Sequence, residues 1–229
     1  MQSPESCLSC STTLIADEDE EVADVETPVK AVEKILNYKF LKPKLLEEAL
    51  AHPSCIDSVS YKRLEIAGDA ALGLAVVNLF YLEYPELVQG QLSLLRSANV
   101  STEKLARVAV RHGLYKYVRC RATAALDEKV KEFVITVQQE EQSEFYGGAM
   151  KAPKVLANIV ESVAAAVYVD CGFDPKNVWL IFRGLLEPII TLDLLEEQPQ
   201  PVTLLYELCQ KVGKKGRYKA LQRRRERHS

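Results

Sequence analysis

The chain has 229 residues, 48% of them hydrophobic, with only 10 Gly and 10 Pro, so it can bury a sizeable core in one substantial domain with appendages or in two small domains. Its net charge of −3 hides a strong polarity, with eight acids and no Lys or Arg in residues 1–27 against nine Lys or Arg and one Glu in residues 211–229. No charged start followed by an apolar stretch marks a secretory signal, and the longest apolar run, AALGLAVVNLFYL at 70–82, has 13 residues, too few for a membrane span.

The acidic head, with DEDEE at 17–21, reads as a solvated, disordered segment over 1–27. Cys7 and Cys10 within it form a lone CxxC, short of the four ligands a structural zinc site needs. With Cys55, Cys120, Cys171 and Cys209 they make six cysteines without framework spacing, which fits a reduced intracellular protein of the nucleus, the cytoplasm or both. From there the pattern is helical. VKAVEKILNYKF (29–40) has apolar spacing of three and four behind Pro28, and PKLLEEALAH (43–52) is a short helix opened by proline. Residues 61–84 form a long helix, apolar on most faces and therefore central. One or two helices follow over 91–113, ending at Gly113, then another over 127–139. PKVLANIVESVAAAVYVDCG (153–172) is a second buried helix, and Asp174 caps a last one over 174–190. EEQPQP at 196–201 punctuates the chain as a linker. The expected organisation is an all-α domain over 28–193, a linker over 194–200, and a short helix with a basic tail over 201–229.

Two pairs of polar residues stand out against these apolar helices. Glu65 and Asp69 lie four apart in YKRLEIAGDAAL, hence on one helix face, and Asn158 and Glu161 lie three apart in LANIVES. Gly68, a poor helix former beside Asp69, suggests that something must approach closely there. Packed together, the two helices would gather an oxygen-rich cluster of the kind that holds magnesium and supports phosphodiester hydrolysis. Such acids also cap helices or pair with Arg and Lys. Two pairs on two strongly apolar helices, without a local basic partner, favour a functional cluster. His52, His112 and His228 lack ligand spacing, and His52 ahead of Pro53 reads as a helix end. Trp179 reads as core.

RLEIAGDAAL (63–72) resembles the hallmark motif of the ribonuclease III family, usually close to RLEFLGDAVL. HPSC at 52–55, GQLSLLRSANVSTEKLARVAVRHGL at 90–114 and PKVLANIVESVAAAVYVDCGF at 153–173 match that family in order and spacing. EFYGGAMKAPKVLA (144–157) looks most like the plant ribonuclease III-like proteins and Dicer-like enzymes. The resemblance spans residues 29–193. It implies an all-helical endonuclease domain that dimerises and cuts double-stranded RNA with Mg2+ (Mn2+ as a substitute), leaving short 3′ overhangs. By motif, its metal-binding positions fall on Glu65, Asp69, Asn158 and Glu161, with Asp69 and Glu161 central to catalysis.

Four departures accompany the match. The family has aspartate at the position of Asn158, which offers a carbonyl oxygen but no charge. Lys62 stands where some relatives carry a further acid, and Ile66 and Ala67 replace the motif's Phe and Leu near the family's dimer interface. PVTLLYELCQKVGKK (201–215) resembles the first helix of a double-stranded-RNA-binding domain, of which only 29 residues are present. Lys154 beside the second pair, and Lys214, Lys215 and Arg217 in the tail, are candidate contacts to RNA phosphate. The expected function is a homodimeric, metal-dependent endoribonuclease. The alternative is a catalytically impaired protein that binds duplex RNA and modulates an active relative by forming heterodimers.

Overall fold

The computed structural model describes residues 27–56, 59–119, 123–140 and 150–197, together with 208, 209 and 211. The acidic head up to 26 and Lys214, Lys215 and Arg217 of the tail lie outside the described residues. The described residues form nine α-helices and one 3-10 turn. Their one β-type pairing is an isolated parallel bridge between Ala51 and Arg119. The all-helical expectation holds.

The helix ends follow local chemistry. α1 (Pro28–Leu36) opens with Thr27 accepting from Lys30 N and Pro28 in the first turn, and closes at Asn37 in the left-handed region, φ 48°. It therefore stops four residues short of the expected end, because Asn tolerates that conformation and terminates the helix. α2 (Pro43–Ala49) is likewise opened by proline. α3 (Lys62–Glu83) matches its expected range closely. The 91–113 stretch is two helices, α4 (Gln89–Asn99) and α5 (Thr102–Arg111), because the Ser101 hydroxyl caps Lys104 N at 3.2 Å. Gly113, at φ 61°, turns the chain into a 3-10 turn over Leu114–Tyr117 that periodicity does not signal. α6 (Ala124–Gln139) starts at a Thr123 cap. α7 is Lys154–Asp170 and α8 only Pro175–Phe182. The rest of the helix expected over 174–190 is irregular, because Gly184 and Pro188 break it, and Asn99 anchors its far end. The buried Asn99 amide accepts from Ile190 N at 2.8 Å and donates to Ile190 O at 2.9 Å. α9 (Leu192–Glu197) follows, with Leu195 buried.

α7 is the axle of the domain, with twelve of its seventeen residues buried. α3 packs along it more extensively than any other helix, and α5, α2 and α8 cover its remaining faces. α3 is the one described helix long and apolar enough to cross a membrane by composition, and here it lies against α7. Polar anchors fix the middle and the C-terminal end of α7. Ser162 bonds Ala49 O at 2.8 Å, tying α7 to α2. Asp170 accepts from Tyr38 Oη and Leu41 N, both at 2.8 Å, and from Lys42 N at 2.9 Å. Cys55 is disulfide-bonded, contrary to the expectation of reduced thiols, whereas Cys171 and Cys209 are free. Irregular spacing along the sequence does not report which thiols the fold brings together.

Candidate functional site at the crossing of α3 and α7

The two helices cross where glycine permits it. A Cβ on Gly68 would stand 1.7 Å from the Glu161 carbonyl oxygen and 2.5 Å from its carbon. No larger residue fits without separating the backbones. The close approach suggested by Gly68 is therefore α7 itself, meeting α3 between Glu65 and Asp69.

That crossing brings three of the expected residues into one electrostatic cluster. Burial is the largest influence on Glu161 and pushes its carboxyl up to about 7, with the carboxylates of Asp69 and then Glu65 adding to the rise. Lys154 and Lys62 oppose it. Glu65 is mostly covered, its side chain 22% exposed, while that of Asp69 is 54% exposed at the mouth. A buried carboxyl whose proton affinity is raised by two neighbouring carboxylates marks a place where a cation is stabilised.

Asn158 takes a different partner. Its side chain hydrogen-bonds the hydroxyl of Tyr61, a residue 2% exposed at the entrance to α3. Burial raises the Tyr61 pKa, the Asn158 bond opposes that rise, and the charge of Lys62 opposes it further. Tyr61 lies one turn before Glu65, so Tyr61, Glu65 and Asp69 form a single row along α3.

Contrary to the expectation that the acids lack a local basic partner, basic side chains answer two of them. Lys62 Nζ donates to Glu65 Oε2 at 2.7 Å, a bond that raises the lysine's pKa. Arg96, from α4, lies over Gly73, where a Cβ would meet its Nε at 2.7 Å, and comes within 3.9 Å of Asp69 Oδ2. Among the described residues no three His, Cys, Asp or Glu side chains are close enough together to grip an ion as they stand. The donor set is nevertheless all oxygen and centred on mutually repelling carboxylates, which is the chemistry a hard divalent ion takes. Lys154, the first residue of α7, is exposed and faces this cluster closely enough to lower the Glu161 pKa.

Sequence reading missed Tyr61 and Arg96. The row spacing 61–65–69 was a usable signal for Tyr61, whereas Arg96 arrives from another helix and no local spacing reports it. His52 bonds Ser54 Oγ at 2.9 Å and stacks edge-on with Tyr61, but it does not end a helix, because α2 has already stopped at Ala49. Trp179 packs against the core from α8.

Comparison with known proteins agrees with this geometry. The Ribonuclease III domain model matches residues 62–172, the span from α3 through α7 that builds the crossing. Ribonuclease 3-like protein 2 of Arabidopsis thaliana is 60% identical over 188 residues, covering 82% of this chain and 48% of the relative, so the chain spans about half that relative's length. Ribonuclease 3-like protein 1 of Oryza sativa subsp. japonica is 42% identical over 195 residues, covering 82% of this chain and 74% of the relative. In fold, the chain is similar to the nuclease domain of ribonuclease III from Campylobacter jejuni, with a TM-score of 0.53, 24% identity, and coverage of 71% of this chain and 98% of that one. The glycine-spaced acid row on α3, the acid facing it from α7, and these similarities lead to one conclusion: the chain belongs to the ribonuclease III family.

Proposed function

We propose that this chain is a divalent-metal-dependent endoribonuclease that cuts double-stranded RNA as a homodimer. The observation that carries the reading is the Gly68–Glu161 crossing, which brings the Glu65, Asp69 and Glu161 carboxylates into one cluster. Those three residues would hold Mg2+ or Mn2+, with Asn158 as a neutral neighbour. When bound there, the ion supplies an activated water and neutralises charge on the phosphate. The chain's own residues do the rest. Tyr61 and Asn158 brace the base of α3 against α7, and the helix crossing fixes the spacing of the acids. Lys154 at the rim attracts phosphate, an effect that weakens with salt. Lys214, Lys215 and Arg217 extend the same attraction along the tail.

Support for a homodimer comes from α3. Ile66, Ala70, Leu74 and Tyr81 are exposed and fall within about a quarter of the helix circumference at 100° per residue. Ile66 is 76% and Tyr81 66% exposed, an apolar stripe that a second copy would cover.

The test is cleavage of long duplex RNA by the chain in Mg2+, in Mn2+ and in excess chelator, beside Glu161→Gln. Fragments that need the metal and vanish in the variant support the reading, and undiminished cutting in chelator overturns it. A second reading, a duplex-binding protein with impaired catalysis, is favoured by Asn158, which carries no charge and is engaged by Tyr61. It predicts binding to duplex RNA without cutting in either metal.

A further inference from the structure

The site holds cations of its own. Around Glu161, the carboxylates of Asp69 and Glu65 are answered by Lys154 and Lys62, and Arg96 approaches Asp69. These contacts are not equal. Arg96 stands at 3.9 Å from its acid, beyond hydrogen-bond length, whereas Lys62 is bonded to Glu65 at 2.7 Å. Lys62 Nζ also lies 5.6 Å from the centre of the Tyr61 ring.

Resting on the reading of this site as a metal centre, we infer that Lys62 is a tethered competitor for the metal: its ammonium occupies Glu65, and a divalent ion gains that carboxylate only when Lys62 swings out to water. The two partners are built for such an exchange. The lysine side chain is 55% exposed and the glutamate's 22%, so the cation can leave for solvent while the acid stays in place. An exposed lysine loses little on release, because a solvent-exposed ion pair is screened and weak. While it remains, it places a positive charge one hydrogen bond from a ligand oxygen, where a second cation is repelled. Lys62 therefore sets the metal concentration at which the site fills, and makes that threshold higher than three carboxylates alone would give.

The experiment is Mn2+ binding to the full chain without RNA, followed by the electron paramagnetic resonance signal of free Mn2+. Five proteins are compared: wild type, Lys62→Met, Lys62→Arg, Arg63→Met, and Lys62→Met combined with Glu65→Gln. Lys62→Met is expected to lower the Mn2+ Kd by about threefold to fivefold, the scale of releasing one exposed, partly screened ion pair. Lys62→Arg should stay near wild type, and so should Arg63→Met, which removes a neighbouring charge from the same helix. Adding Glu65→Gln should abolish the gain. Equal affinity in wild type and Lys62→Met, or a gain that survives Glu65→Gln, overturns the competitor role and leaves the metal site standing. Failure of all five proteins to bind Mn2+ overturns the metal reading and this inference with it. Thermal melting without metal confirms that each variant is folded.

Discussion

Two clusters of acidic and basic side chains flank α7, and they are built on opposite principles. On one side, Arg107 of α5 is closed in. Its Nε and Nη2 donate to the two oxygens of Glu140, both at 2.7 Å, and its Nη1 donates to Glu103 Oε2 at 2.9 Å. The other Glu103 oxygen accepts from Ala152 N at 3.0 Å, and the guanidinium lies over Phe133, 5.5 Å from the ring centre. Every charged oxygen there has a partner, and the arginine and Glu140 side chains are each only 10% exposed. At the α3–α7 crossing, by contrast, Glu161 faces two other acids, and the cations that answer them stand at the rim. A closed network holds structure, here pinning the end of α6 and the entrance to α7 onto α5. An open one keeps carboxylates within reach of a cation from solution.

Arg107→Met gives the largest expected effect on stability. It strands Glu103 and Glu140, and breaking a buried pair from one side costs about 3–5 kcal/mol. Urea unfolding of this variant should show that loss, while Lys62→Met, at the open cluster, should change stability by less than about 1 kcal/mol. Equal losses in the two variants would remove the distinction between the clusters.

Gly68→Ala comes next. Helix propensity alone favours alanine by about 1 kcal/mol. Against this, the added methyl would sit 1.7 Å from the backbone oxygen of Glu161, and neither backbone can yield cheaply. Overpacking of this kind costs about 1–3 kcal/mol, so the variant should melt below wild type and lose RNA cleavage as the acids separate. A variant more stable than wild type would show that the helices do not touch at this point.

This glycine also marks how far the sequence could be read. Gly68 beside Asp69 already signalled a close approach, and the two polar pairs named the helices that had to meet. Proline, glycine and Asp174 placed several helix ends, because each acts on its own backbone within a turn, while the Asn37 stop and the Ser101 cap, equally local, went unread. What stayed hidden came from elsewhere in the chain. Arg96 reaches Asp69 from α4, and Asn99 anchors the chain at Ile190 from 91 positions away. The Tyr61–Asn158 bond, likewise, joins residues that share no local pattern. Local rules see propensity and period, and long-range hydrogen bonds lie outside both.

A smaller effect sharpens the contrast through pH. Burial, then Asp69 and Glu65, raise the Glu161 carboxyl from 4.5 to about 7 in the folded protein. Between those values the folded state binds more protons than the unfolded one, so the stability of the metal-free protein falls as pH rises through that window. Glu161→Gln removes the titrating group. Its melting temperature should therefore decline less than that of wild type between pH 5 and pH 8, while cleavage drops to background. Parallel curves for the two proteins would show that neither burial nor the neighbouring acids raise the Glu161 carboxyl.

Asn158→Asp has the smallest expected effect on the fold and tests whether the open cluster can be opened further. The replacement is nearly isosteric, so the helix crossing should persist. Aspartate accepts from the Tyr61 hydroxyl, keeping the brace between α3 and α7 in a different form. It also adds a fourth carboxylate beside Glu161, which raises repulsion in the metal-free protein and should cost stability of about 1 kcal/mol or less at pH 8. With Mn2+ present the sign reverses, because the extra charge strengthens ion binding and binding to the folded state stabilises it. Melting of wild type and variant with and without Mn2+ at pH 8 checks both halves: the variant should melt lower alone and gain more from the metal. Cleavage at limiting Mg2+ should rise in parallel. If the variant gains no more from Mn2+ than wild type does, position 158 belongs to the brace formed with Tyr61 and does not contact the ion.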